Sequence, residues 1–184
     1  MKKTALVVLA DGFEEVEAVT PIDALRRAGI EVIIAGVGKR EVTGAHDITI
    51  ETNLMIEQYQ GVPDAVILPG GMPGASNLKK SEALKDVLQK VKRADKIIAA
   101  ICASPAVVLA PLGLLDGHKA TCYPGFEDEL GTRIKFSPDR VVVDGQFITS
   151  RGPGSALEFS LALVRQLIDK ETEEKLAKAM GVNA

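Results

Sequence analysis

Short apolar runs return at intervals along this chain, with helix-patterned stretches between most of them. Thr4–Ala10, Glu31–Ala35, Asp64–Leu68 and Ile97–Ala100 read as strands. Near-continuous apolar strands are those buried on both faces of a parallel sheet. Strands alternating with helices predict an α/β fold with a mainly parallel sheet and helices on both faces. Ligands of such sheets bind beyond the carboxyl ends of the strands.

The helices read as follows. One runs from about Phe13 to Ala28, with Glu14, Glu15 and Glu17 near its positive end. Pro21 is expected to kink or divide it, and Gly29 to end it. Asn53 to Gln60 is a candidate short helix. A helical stretch capped by Ser76 or Ser81 reaches Ala94. A short helix covers Pro105 to about Leu109, and Phe126 to Leu130 is a helical turn. Helices from about Ser155 to Ile168 and from Thr172 to Met180 close the chain. Val42 to Ile50 reads as a hairpin-like excursion with Gly44 in its turn. Lys119 to Cys122 reads as a short strand. Arg140 to Val143 and Gln146 to Thr149 read as a hairpin around Asp144-Gly145. With 184 residues and no linker or repeat, one domain over 1–184 is expected.

The segment Ile97-Ile98-Ala99-Ala100-Ile101-Cys102-Ala103-Ser104-Pro105 carries the main chemical suggestion. A cysteine at a strand-to-helix turn lies beside free backbone N–H groups and the positive end of a helix dipole. Both favour the thiolate, which is the nucleophile; the other reading of Cys102 is a small buried hydrophobe. A thiolate needs a proton partner. Glu17 has small or apolar neighbours at helical spacing, whereas Glu14 and Glu15 are expected to reach solvent. A buried Glu17 would keep its proton and hydrogen-bond the sulfur; otherwise it is a solvated first-turn acid.

Gly70 and Gly71 let backbone approach a ligand. With the Ala103 N–H they form either an oxyanion hole or an ordinary tight turn. Ser150-Arg151-Gly152-Pro153-Gly154 either offers N–H groups and the Arg151 guanidinium to an anion or simply starts a helix. Tyr123 follows Cys122 and can border the same pocket, Cys122 itself being expected in the core. His46 and His118 are expected at the surface.

Several classes are disfavoured. The net charge is -3 and aromatics make up 4% of the chain, so nucleic acid is not expected. No apolar run approaches a membrane span. The start lacks signal-peptide character, which points to a reducing cytoplasm and free thiols. The two His and two Cys lack zinc-site spacing, so no metal is expected. Neither Gly-Gly-Met-Pro-Gly nor Gly-Val-Gly-Lys fits a dinucleotide fingerprint, so no nucleotide cofactor is expected.

Ala-Leu-Val-Val-Leu-Ala-Asp-Gly-Phe-Glu-Glu-Val-Glu-Ala-Val, Arg-Arg-Ala-Gly-Ile, Leu-Pro-Gly-Gly, Ala-Ala-Ile-Cys-Ala-Ser-Pro and Thr-Ser-Arg-Gly-Pro-Gly occur in that order. The chain therefore resembles the ThiJ/PfpI superfamily and, within it, the parkinsonism-associated DJ-one branch with its bacterial YajL-type members. The resemblance implies a flavodoxin-like three-layer sandwich, a homodimer and no cofactor. It implies a reactive cysteine at a strained elbow (Cys102), a protonated glutamate (Glu17) and backbone oxyanion donors at Gly71 and Ala103. It also implies action on reactive α-oxoaldehydes or glycated proteins, or else redox sensing and chaperone action in which Cys102 becomes a sulfinate. Two positions depart from relatives. Ala103 stands where the peptidase branch has histidine, which disfavours proteolysis. Tyr123 precedes Pro124 where glyoxalase-active members have histidine, and a phenol with a pKa of about 10 is a poor proton shuttle at neutral pH.

Overall fold

The computed structural model describes residues 2–182, so Met1, Asn183 and Ala184 of the expected domain lie outside the described residues. In chain order the elements are β1 (Thr4–Leu9), α1 (Glu15–Arg27), β2 (Glu31–Gly36), β3 (Glu41–Thr43), β4 (Thr49–Glu51), β5 (Leu54–Met55), β6 (Ala65–Leu68), α2 (Gly74–Lys80), α3 (Glu82–Arg93) and β7 (Ile97–Ile101). There follow β8 (Lys119–Ala120), α4 (Glu127–Leu130), β9 (Lys135–Phe136), β10 (Val141–Asp144), β11 (Phe147–Ser150), α5 (Ala156–Leu167) and α6 (Lys170–Ala179). Pro105–Leu109 is a single π-type turn.

Seven strands form one sheet in the order β10-β11-β7-β6-β1-β2-β5. All neighbours pair in parallel except the antiparallel β10–β11 hairpin, as its Asp-Gly turn foretold. Every residue of Ala5–Leu9, Ala65–Leu68 and Ile98–Ile101 is buried, whichever face it points to. Helices must therefore cover both faces, and the continuous apolar runs follow from that. Around the strands pack Phe13, Leu25, Leu78, Leu88 and Phe159, all fully buried. The fold is the expected α/β sandwich. Among the described residues no helix is long and apolar enough to cross a membrane.

Local expectations met tertiary corrections. α1 is not divided at Pro21: Ala18, Pro21, Ile22, Ala24 and Leu25 are buried along it, and that packing carries the helix across the missing N–H. Asn53 to Gln60 is a two-residue strand and one 3-10 turn rather than a helix. Asn53 Oδ1 accepts the Ile34 N–H at 2.8 Å, which ties the segment to β2 and leaves β5 as the edge strand. The stretch ending at Ala94 is two helices; Ser81 caps the second, accepting the Leu84 N–H at 3.2 Å, while Ser76 lies inside the first. Lys119 to Cys122 shortens to β8, which pairs with the unforeseen β9 outside the main sheet.

The order of the central strands positions the site. β11, β7, β6 and β1 are neighbours and parallel, so the segments that follow them emerge side by side. Backbone and side-chain bonds lace these ends together. Glu14 N donates to Gly70 O at 3.0 Å and Cys102 N to Ser150 O at 2.9 Å. Ser104 Oγ donates to Pro69 O at 2.6 Å.

Candidate active site

Cys102 follows β7 with φ at 65°, in the left-handed region that costs a non-glycine residue energy. The chain turns sharply there, and the side chain points back toward the end of β6. Gly70 accommodates it: a Cβ on Gly70 would lie 2.6 Å from Cys102 Cβ and 2.9 Å from Glu17 Oε2. Gly71 has φ at 84°, and a Cβ there would strike the backbone of Gly12 and Glu14. The two glycines thus let a loop pass between a cysteine and a helix start, which a tight turn alone does not require.

Glu17 lies in the first turn of α1 with no exposure. Its Oε2 accepts the Gly70 N–H at 2.8 Å, while Oε1 is buried with no hydrogen-bond partner. Burial pushes this carboxyl up to about 7, against the pull of the Gly70 N–H. The Cys102 thiol is pushed up to about 12, first by burial and then by the negative charge of Glu17. The Gly71 and Ala103 N–H groups face the sulfur and pull it down.

This corrects the expectation that the turn by itself favours a thiolate. The N–H groups are in place, but the helical segment after Cys102 is one five-residue turn. Burial and a neighbouring carboxylate outweigh both. An ionised Glu17 holds the thiol proton on; a protonated Glu17 removes that charge and turns an O–H toward the site. Above about 7 the negative charge therefore sits on Glu17 and the proton stays on the sulfur.

Glu15 is a second correction. Expected near solvent, it is buried. Its Oε1 accepts the His46 N–H at 2.7 Å and its Oε2 lies 2.8 Å from His46 Nδ1. These bonds hold its carboxyl below the usual range despite burial. His46 is exposed at the tip of the β3–β4 turn, as expected, but its role in holding Glu15 was not foreseen. Glu14, Glu15 and His46 place their ligand atoms within 4.8 Å of one another, the arrangement nearest to a cation site among the described residues. Both Glu15 oxygens are already taken up by His46. His118 is half-exposed with its ring 4.7 Å from that of Phe147, and Cys122 is buried.

Tyr123 and Arg151 line a cavity of about 200 Å³ together with Pro124, Arg140, Gly152 and Pro153. Tyr123 N donates to Cys102 O at 2.8 Å, so this wall is tied to the cysteine turn. Cys102, Glu17, Gly70, Gly71 and Ala103 form a cluster beside the cavity and are not its walls. Gly152 joins the two: a Cβ there would lie 3.0 Å from the Tyr123 ring and 3.9 Å from Glu17 Oε1. Sequence reasoning placed Gly152 in a segment that either offers N–H groups to an anion or starts a helix, and did not foresee its contact with Tyr123.

These features place a buried cysteine and a buried glutamate side by side at the end of a parallel α/β sheet. The chain belongs to the DJ-1/PfpI family, whose model matches residues 3–166. It is 45% identical to the Parkinson disease protein 7 homolog of Danio rerio, over 92% of each chain. It is 31% identical to a protein named as a deglycase from Pyrococcus abyssi, over 88% of this chain and 98% of that one. It superimposes on the oxidized DJ-1 of Toxoplasma gondii with a TM-score of 0.94 at 41% identity, covering 99% of this chain and all of that one. The flavodoxin-like fold implied by the sequence motifs is thereby established.

Proposed function

We propose that the chain is one DJ-1/PfpI domain that acts as a cysteine-dependent protective protein on reactive α-oxoaldehydes, free or as protein adducts. The observation that carries this reading is the buried Glu17 carboxyl, poised at about 7 beside Cys102. A general acid–base works best with a pKa near the operating pH.

Cys102 Sγ attacks the aldehyde carbon as Glu17 takes the thiol proton. The carbonyl electron pair moves to oxygen beside the Gly71 and Ala103 N–H groups, and Glu17 returns the proton to give a hemithioacetal. Glu17 then relays the C1 proton to C2 through an enediol. The aldehyde carbon is oxidised as the ketone carbon is reduced, leaving a thioester. Water cleaves it, releasing a 2-hydroxy acid and the free thiol. Methylglyoxal would yield lactate, and no external oxidant or cofactor is needed. The deglycase name of the Pyrococcus relative supports this class of substrate. Methylglyoxal loss should depend on Cys102; equal rates for the wild type and Cys102→Ala would remove the reading.

A second reading is favoured by the oxidized state named for the Toxoplasma relative. Cys102 would serve as a redox sensor or as the switch of a chaperone, its sulfinate held by the Gly71 and Ala103 N–H groups and by protonated Glu17. Mass spectrometry after mild peroxide should find oxygen on Cys102 before Cys122. Either role suits a cytoplasmic homodimer. Val16 and Val19 are exposed one turn apart on α1, and Ile48 is exposed on the adjoining β3–β4 turn. These residues form an apolar face suited to a second copy of the chain.

A further inference from the structure

The cavity beside the Cys102–Glu17 pair is uneven in charge. Tyr123, Pro124 and Pro153 give it an apolar side, and Arg140 and Arg151 bring two guanidinium groups. Arg140 is spoken for. Its Nε donates to both Glu158 oxygens at 2.9 Å, and its Nη2 donates to Gly154 O. Arg151 makes one bond, from Nη1 to Pro138 O at 3.2 Å, and has no carboxylate partner among the described residues. A guanidinium carries five N–H donors, so most of its donors remain for a ligand. The Gly152–Ser155 wall leads directly into α5, whose positive end adds to the attraction for an anion.

An independent observation points into the same space. Glu17 Oε1 is fully buried and unpartnered, and it faces the place where Gly152 lacks a side chain. Gly152 thus separates Arg151 and the cavity on one side from Glu17 Oε1 on the other, 3.9 Å from where its Cβ would sit. At about 200 Å³ the cavity is smaller than sites for drug-sized ligands, which fits a short tail.

We propose that Arg151 is a specificity-determining residue, and that the preferred substrate is a small α-oxoaldehyde bearing a carboxylate or phosphate tail that Arg151 and the start of α5 hold in this cavity. The proposal rests on the reading of Cys102 and Glu17 as the reacting pair. It extends that reading by naming the charge of the substrate.

Calorimetric titration tests it with unreactive probes: glycerol 3-phosphate, glycerate and, as the neutral control, glycerol. The wild type and Cys102→Ala should bind at least one of the two anions and not glycerol. Binding should fall at least about tenfold in Arg151→Gln, the loss of one charge-assisted contact. It should return in part in Arg151→Lys and weaken with added salt. Phosphate binding alone assigns a phosphorylated substrate, and carboxylate binding alone an oxo-acid. Failure of both anions to bind, equal binding of glycerol, or unchanged binding in a folded Arg151→Gln overturns the proposal. Because no turnover is read, anion binding by a protein that leaves methylglyoxal untouched would overturn the Cys102 chemistry while supporting the anion subsite.

Discussion

Glu17 accepts the backbone N–H of Gly70 at 2.8 Å through Oε2, and this bond decides which of its oxygens is left over. The remaining oxygen, Oε1, is sealed from solvent without a partner. A buried carboxylate half-satisfied in this way prefers to hold a proton.

That preference makes folding stability depend on pH. The native carboxyl keeps its proton up to about 7, against an ordinary value of 4.5. Between these values the folded state binds more protons, so stability is fullest below 4.5 and is lost as pH rises through 7. The loss is on the order of 3 kcal/mol at most. Glu17→Gln, which has no charge to bury, should exceed the wild type in stability at pH 8, and the gap should close near pH 4.5. Urea midpoints across this range provide the check; parallel curves would contradict it.

Glu15 should behave in the opposite way, since its bonds to His46 hold its carboxyl low. It contributes stability above the unfolded carboxylate range and loses it as pH falls through the lowered native value. Glu15→Ala should destabilise the fold by about 1.5–3 kcal/mol at pH 7, the range for losing hydrogen bonds to a charged group. Hydrogen exchange should speed up in the β3–β4 turn.

Gly152→Ala probes the junction of cavity and reacting pair. The backbone there is extended, with φ at 165°, so alanine brings no conformational strain. Its Cβ would press on the Tyr123 ring at 3.0 Å and narrow the space beside Glu17 Oε1. A raised KM for methylglyoxal with little change in thermal midpoint is expected, and an unchanged KM would contradict the placement.

The apolar face on α1 predicts self-association. Sedimentation should give twice the 19.5 kDa chain mass at micromolar concentration. Val19→Lys should shift it to the single-chain mass without unfolding. A monomeric wild type would refute the dimer.

What the sequence revealed and what it hid divide along physical lines. β1, β6 and β7 were legible because strands buried on both faces must be apolar throughout. Cys102 stood out because it ends such a run just before a proline. The burial of Glu15 was hidden, since its partner His46 lies 31 positions away and only the β3–β4 turn brings them together. The use of Gly152 was hidden for the same reason, because the ring it makes room for belongs to Tyr123. The acidity of Cys102 was misjudged from local features: N–H groups and a turn are local, whereas burial and the charge of Glu17 are properties of the assembled fold. The sequence reading of β8 is two residues too long, and β9, its two-residue partner, is too short to leave a pattern.

The hold of Glu17 on the Cys102 thiol is tested most directly by the alkylation rate of Cys102 across pH, in a Cys122→Ser background, with Glu17 intact and with Glu17→Gln. With Glu17 present, the half-point should lie well above the range of an ordinary thiol at about 8.5, because burial and then the charge of Glu17 push the thiol up. With glutamine only burial remains, and the half-point should move downward. Superimposable profiles for the two proteins would contradict the account.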